Sequence, residues 1–230
     1  MKPEAERQKG TNEASPVGPS RLLRVVLVIV GLVAWFGSQT IIGQMGFPEE
    51  GIGDGLFTLL TPLHSYLVEN PRAADALLIT SSAVIDLFAI FILATSIFGP
   101  TIRPFLGLLF LFFLRQVCQA LVGLPAPEGM IWRYPGFPSL LVTYYVANDF
   151  FFSGHTAIGV YGAIELARTG KRWLTILGVA GAAYAAFSVL VLRAHYTMDV
   201  FTAVIAALLA GIVADRLAPR VDRALSRGTR

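Results

Sequence analysis

Long apolar runs broken by brief polar punctuation dominate this chain from Leu22 onward. A helix needs about 20 mostly apolar residues to cross a bilayer. On that scale the pattern predicts membrane helices over about 22–42, 76–98, 104–124, 153–167, 173–192 and 197–217. Gly99-Pro100 closes the second run and Pro125-Ala126-Pro127 the third, as expected of residues that cannot continue a helix. Residues 46–55 carry turn chemistry, and the apolar stretch 56–68 after them is too short to span. It predicts an interfacial or re-entrant helix between the first and second spans, with His64 as an interfacial histidine or a substrate gate. The loop 128–152 holds Trp132, Tyr134, Tyr144 and Tyr145, a set suited to an aromatic belt at headgroup level.

Composition sharpens this picture. Of the 230 residues 55% are hydrophobic and only 14% charged, where a soluble domain carries about 25% charge. The expected fold class is therefore all-α integral membrane, with six transmembrane helices. Residues 21–218 form the catalytic domain in this reading. Residues 1–20 are polar and predict a disordered tail, and 219–230 predict a basic tail. Fourteen of the 18 Lys and Arg fall in the two tails and in the loops after the second and fourth spans. Arg72, Arg133 and Arg193 fall on the other side. By the positive-inside rule both termini are cytoplasmic, and His155 and His195 open on the extracytoplasmic side. The single Cys118 excludes a disulfide framework. The basic residues flank spans and form no aromatic-interleaved face, so no nucleic-acid partner is expected.

Chemistry concentrates at two helix mouths. His195 and Asp199 are four residues apart and share one helix face, so the carboxylate can accept from one imidazole nitrogen and raise the basicity of the other. At the other mouth Ser153 is a natural N-cap, and Gly154 leaves first-turn N–H groups open to an anion. His155 follows directly. One histidine attacking phosphorus and another protonating the leaving oxygen is a coherent pair of roles. Two alternatives stay open on these residues: solvated headgroup-level side chains, and a three-ligand metal site of His155, His195 and Asp199. The expectation adopted is that neither metal nor other cofactor takes part.

Ser153-Gly154-His155-Thr156, followed by His195-Tyr196-Thr197-Met198-Asp199, resembles the lipid phosphate phosphatase superfamily, the type 2 phosphatidic acid phosphatases. Within it the chain resembles the branch of sphingomyelin synthases and plant phosphatidylcholine:diacylglycerol cholinephosphotransferases. Arg115, Leu124-Pro125-Ala126-Pro127 and Asp149 extend the likeness upstream. The resemblance implies His195 as nucleophile, Asp199 as its orienter and His155 as the acid, with a covalent phospho-histidine passed to water or to a lipid hydroxyl. Phospholipid and lipid alcohol are then the partners within the bilayer. The wider superfamily carries a Lys seven residues before an Arg-Pro pair, where this chain has Ser96 before Arg103-Pro104. It also carries a Ser-Arg pair before the second His, where this chain reads Phe187-Ser188-Val189. Fewer cations favour a phosphodiester donor over a doubly charged monoester. A phosphatase acting on phosphatidic acid or an isoprenoid diphosphate, and a lipid-binding or flipping protein, are the alternatives.

The other charges in the apolar runs carry expectations as well. Asp86 and Arg115 lie at similar depth, so a buried pair between them competes with phosphate binding by Arg115. Arg193 joins Arg115, Ser153, Gly154 and Asp149 as a candidate substrate-binding residue, and Asp149 is a candidate for reading a cationic headgroup. Glu165 and Arg168 predict an i,i+3 ion pair. The small residues of 178–186 and 203–211 predict close helix packing.

Overall fold

The computed structural model describes residues 21–44, 51–142, 144 and 150–227. The chain falls into two compact units, Met1–Gly53 and Asp54–Arg230. Within the first unit a single helix is described, α1 (Arg21–Gly43), apolar over Val25–Ile41. The second unit holds α2 (Gly55–Glu69), α3 (Pro71–Phe98), α4 (Arg103–Leu121), α5 (Gly154–Ala167), α6 (Arg172–Val191) and α7 (Thr197–Arg227). Residues 1–20 and Asp149 lie outside the described residues, as do Asn148 and Tyr145.

Four helices, α3, α4, α6 and α7, are long and apolar enough to cross a membrane. Their outer faces carry large exposed apolar side chains such as Leu87, Phe113, Ile176 and Ile205. The protein is an all-α membrane protein. By length the structure supports fewer than the six expected spans. The shortfall lies in α1, whose apolar part is the shorter stretch Val25–Ile41, and in α5, whose 14 residues make about 21 Å at 1.5 Å per residue, short of the ~30 Å hydrocarbon core. Helix α7 instead overruns its expected end at residue 217 and continues through Pro219 to Arg227. The Asp222 carboxylate there accepts from the Thr101 hydroxyl at 2.6 Å and the Ile102 N–H at 3.0 Å.

Short α5 is the centre of the second unit. Ten of its residues are buried, with α3, α4, α6 and α7 packed around it. The expected small-residue packing is present at the α5–α6 contact. A Cβ at Gly178 would lie 2.9 Å from the Ala163 Cα, and one at Gly159 would lie 3.3 Å from the Ala182 Cα. Ala203, Ala206, Ala207 and Ala210 of α7 are buried in the same core, beside Ile158 and Tyr161.

At the end of α5 remote from its histidine, charge is neutralised across three helices. Buried Arg103 donates to Glu165 through Nη1, to Asp215 at 2.6 Å through Nε, and to the Gly211 carbonyl. Arg168 also pairs with Asp215, at 3.0 Å. The expected Glu165–Arg168 pair is therefore replaced: Glu165 faces inward to α4, whereas Arg168 lies past the helix end and meets α7. Leaving one partner of a buried pair uncompensated costs about 3–5 kcal/mol. Arg103→Leu should destabilise the protein on that scale, read as a fall in unfolding temperature in detergent.

Candidate active site

Helix α6 ends in a Schellman turn. The Arg193 N–H bonds to the Leu190 carbonyl at 3.1 Å and the Ala194 N–H to the Val189 carbonyl at 2.8 Å. That pattern places Arg193 at the left-handed position usually held by Gly, and its φ is 51°. The left-handed conformation costs a non-glycine residue about 1–2 kcal/mol. Its side chain is correspondingly well held: the guanidinium donates to the Glu128 carbonyl and to the Thr61 hydroxyl and lies 5.5 Å from the Phe57 ring centre.

Two residues on, His195 is buried, and its Nδ1 lies 2.8 Å from the Phe150 carbonyl oxygen. A carbonyl only accepts, so Nδ1 carries the proton and Nε2 keeps its lone pair. Asp199, one helical turn further, stands 3.6 Å from the same Nδ1. This is ionic contact and not a hydrogen bond. The expected orienting bond thus comes from backbone, with Asp199 adding charge. The reason is that Asp199 sits at the third position of α7 and closes a capping-box contact, its Oδ2 accepting the Tyr196 N–H at 2.9 Å. Fully buried Asp199 also joins the two mouths, since its carbonyl accepts the Ser153 N–H at 3.3 Å. Tyr196 keeps a neutral phenol: burial pushes it up, and Asp199 and Asp54 push the same way.

The second mouth is the N-terminus of α5. The Ser153 hydroxyl caps it by accepting the Thr156 N–H at 3.3 Å. The N–H groups of Gly154 and His155 belong to the first turn, where no preceding helical carbonyl exists. Arg115 reaches over from α4, donating Nε to the Phe152 carbonyl at 2.9 Å. A Cβ at Gly154 would stand 3.4 Å from that Nε, so the glycine lets the guanidinium lie against the helix start. His155 is buried, its ring edge-on to Trp132 with centres 5.3 Å apart, and its Nε2 meets no hydrogen-bond partner among the described residues.

The loop before α5 is pinned to α3. The Asp86 carboxylate accepts from the Ser139 hydroxyl and from the Leu140 and Leu141 N–H groups at 2.9–3.1 Å. Ser82 and Tyr144 share a 2.6 Å hydroxyl contact. The expected Asp86–Arg115 pair is thus not formed among the described residues. An aspartate beside a turn meets backbone N–H groups at less cost than it could desolvate a distant guanidinium. Trp132 and Tyr144, expected in a headgroup belt, pack with the end of α6 and the start of α3.

These elements enclose one cavity of about 100 Å³, lined by Arg115, Trp132, Phe150, Gly154, His155 and His195 together with Ile85, Phe112, Leu141, Val142, Ile158 and Ala194. One water needs about 10–15 Å³ on this measure, so the space suits a phosphate-sized group. The structure therefore brings together His155, His195, Gly154 and Arg115, with Ser153 and Asp199 directly behind them. Arg193 is directed to α2 and the 128 carbonyl, and does not line the cavity. Among the described residues no three His, Cys, Asp or Glu side chains converge as metal ligands. Phe150 acts through its backbone carbonyl, which leaves no side-chain signature in the sequence, and Trp132, expected in the aromatic belt, lies edge-on to His155 in the site. Sequence reading also set His64 at an interface, whereas it is buried with Nδ1 2.8 Å from the Val191 carbonyl.

Fold and cavity together define a helical membrane protein whose two histidines and one arginine face a phosphate-sized space. The family model AtPDCT1/2, that of the phosphatidylcholine:diacylglycerol cholinephosphotransferases, matches residues 53–218, and the chain belongs to that family. No curated protein and no solved structure matches the chain. Removing the Asp86 carboxylate should free the loop it holds. In Asp86→Ala the Leu140 and Leu141 amides should exchange with deuterium faster than in the parent, while amides within α5 keep their protection.

Proposed function

We propose that this chain is a lipid phosphotransferase that moves a phospho-headgroup from a phospholipid to a lipid alcohol of the diacylglycerol or ceramide type. His195 Nε2 attacks phosphorus, the phosphorus–oxygen bond to the lipid backbone breaks, and His155 delivers its proton to the departing oxygen. The acceptor hydroxyl then returns a proton to His155 and attacks phosphorus, breaking the phosphorus–nitrogen bond and freeing His195. Water in place of the acceptor gives hydrolysis. The carrying observation is the pair of histidines in one cavity, His195 with Nδ1 engaged by the Phe150 carbonyl and Nε2 left as the nucleophile. Asp199 offsets positive charge on that ring, 3.6 Å away.

The family supports the transferase reading, and so does charge. Arg115 is the only Lys or Arg among the described residues lining the cavity, which suits the single charge of a phosphodiester. The anionic phosphate also supplies a counter-charge for a protonated His155. Asp149 remains the candidate for contact with a cationic headgroup. In this reading α1 and α5 complete six crossings, both termini are cytoplasmic, and the cavity opens on the extracytoplasmic side.

Purified protein given headgroup-labelled phospholipid with diacylglycerol should move label to the acceptor, and His195→Ala should lose turnover by at least about 10³-fold. Free phosphate released from a monoester, without transfer, would point to a phosphatase instead. Full activity in His195→Ala would remove the nucleophile assignment. For sidedness, Glu128→Cys should label with an impermeant maleimide from outside intact cells; labelling only after permeabilisation would invert the topology.

A further inference from the structure

Helix α2, expected from the sequence as an interfacial or re-entrant helix, grips both ends of the segment that carries His195. Its first contact is with the end of α6. His64 Nδ1 donates to the Val191 carbonyl at 2.8 Å, and Val191 is the last residue of that helix, where carbonyls lack helical donors. Thr61 and Phe57 then hold the Arg193 guanidinium, and the Phe57 ring stacks on Tyr196 with centres 5.7 Å apart.

Its last contact is with the start of α7. Asp54 Oδ2 accepts the Thr197 N–H and Oδ1 accepts the Thr197 hydroxyl, each at 2.6 Å. Oδ1 also caps α2 itself, accepting from Leu56 and Phe57 at 3.0 and 3.3 Å. One carboxylate therefore closes the N-termini of two helices, and the second of them begins two residues after His195. The local cap of α7, Asp199 on Tyr196, sits beside it. Between these clamps the five-residue link 192–196 has little freedom, although Arg193 within it holds a backbone conformation that disfavours a side chain.

We infer that Asp54 is a positioning residue for His195, acting through Thr197, and that α2 is the splint that holds the nucleophile-bearing link in place. The inference rests on the reading of His195 as the nucleophile. Displacing a reacting group by about 1 Å costs on the order of 10²-fold in rate even when the change lies away from the chemistry. Asp54 touches Thr197, the residue that follows the link, and neither residue lines the cavity, so the loss belongs in kcat.

Serine caps a helix about as well as aspartate but has no second oxygen for the Thr197 N–H. Asp54→Ser therefore removes the Oδ2 bond to the start of α7 and keeps a cap for α2, and Thr197→Val removes the hydroxyl bond to Oδ1 from the opposite partner. Full-length protein in lipid nanodiscs would be assayed for headgroup transfer to diacylglycerol and for unfolding temperature. The expected result is kcat lowered about tenfold to a hundredfold in Asp54→Ser and by less in Thr197→Val, with donor KM and unfolding temperature near parental values. Parental kcat in Asp54→Ser overturns the inference. So does a fall in kcat matched in both variants by a fall in unfolding temperature, which marks a purely structural tie. His195→Ala that still turns over defeats the nucleophile reading instead, whatever Asp54→Ser does.

Discussion

The bond from His195 Nδ1 to the Phe150 carbonyl organises the candidate site. It sets which nitrogen is left open, and it fastens the loop ahead of α5 to the start of α7. The contact between the Ser153 N–H and the Asp199 carbonyl runs across the same seam. Both helices thus begin beside one seam; the first-turn N–H groups of Gly154 and His155 are the ones beside the cavity, since the Tyr196 and Thr197 N–H groups at the start of α7 are held by Asp199 and Asp54. The remaining features serve that junction. Arg115 lies against Gly154, Asp86 tethers the incoming loop, and the Schellman turn at Arg193 brings the chain back sharply enough to deliver His195.

The buried His, Asp, Glu and Arg side chains gather at the two ends of the second unit, and each end solves the cost of burial differently. The histidine end leans on backbone carbonyls and N–H groups, which carry no net charge and cost less to desolvate than ions. The other end gathers Arg103, Glu165, Asp215 and Arg168 into a network across α4, α5 and α7. Between them the packing is almost wholly apolar and depends on glycine and alanine at the α5–α6 contact. The network fixes short α5 at its far end while the capped N-terminus fixes it at the site.

Much of this was legible in the residues. Hydrophobic runs marked α3, α4, α6 and α7 to within a few positions, apart from the extension of α7 beyond residue 217 and the early start of α3 at Pro71. His155 and His195 were read as one site from forty residues apart, and they do share one cavity. What escaped was the choice of partner. Periodicity tells which face a carboxylate occupies but not which atom it meets. Asp199 turned to the Tyr196 amide, Asp86 to the Leu140 and Leu141 amides, and Glu165 to Arg103. In each case a nearer or better-aimed donor outcompeted the one that sequence spacing suggested. Asp54 escaped for a related reason: in Gly53-Asp54-Gly55 it reads as turn chemistry, and its second partner is 143 residues away in the chain.

The size of the cavity also bears on how the protein meets its surroundings. About 100 Å³ accommodates a phosphate group but not a pair of acyl chains. The hydrocarbon of any lipid that reaches His195 must stay outside, among the exposed leucines, isoleucines and phenylalanines of the outer helix faces. Encounter is then a two-dimensional matter. For the proposed transfer, what governs occupancy is the mole fraction of the lipid in the surrounding leaflet and not its amount per volume.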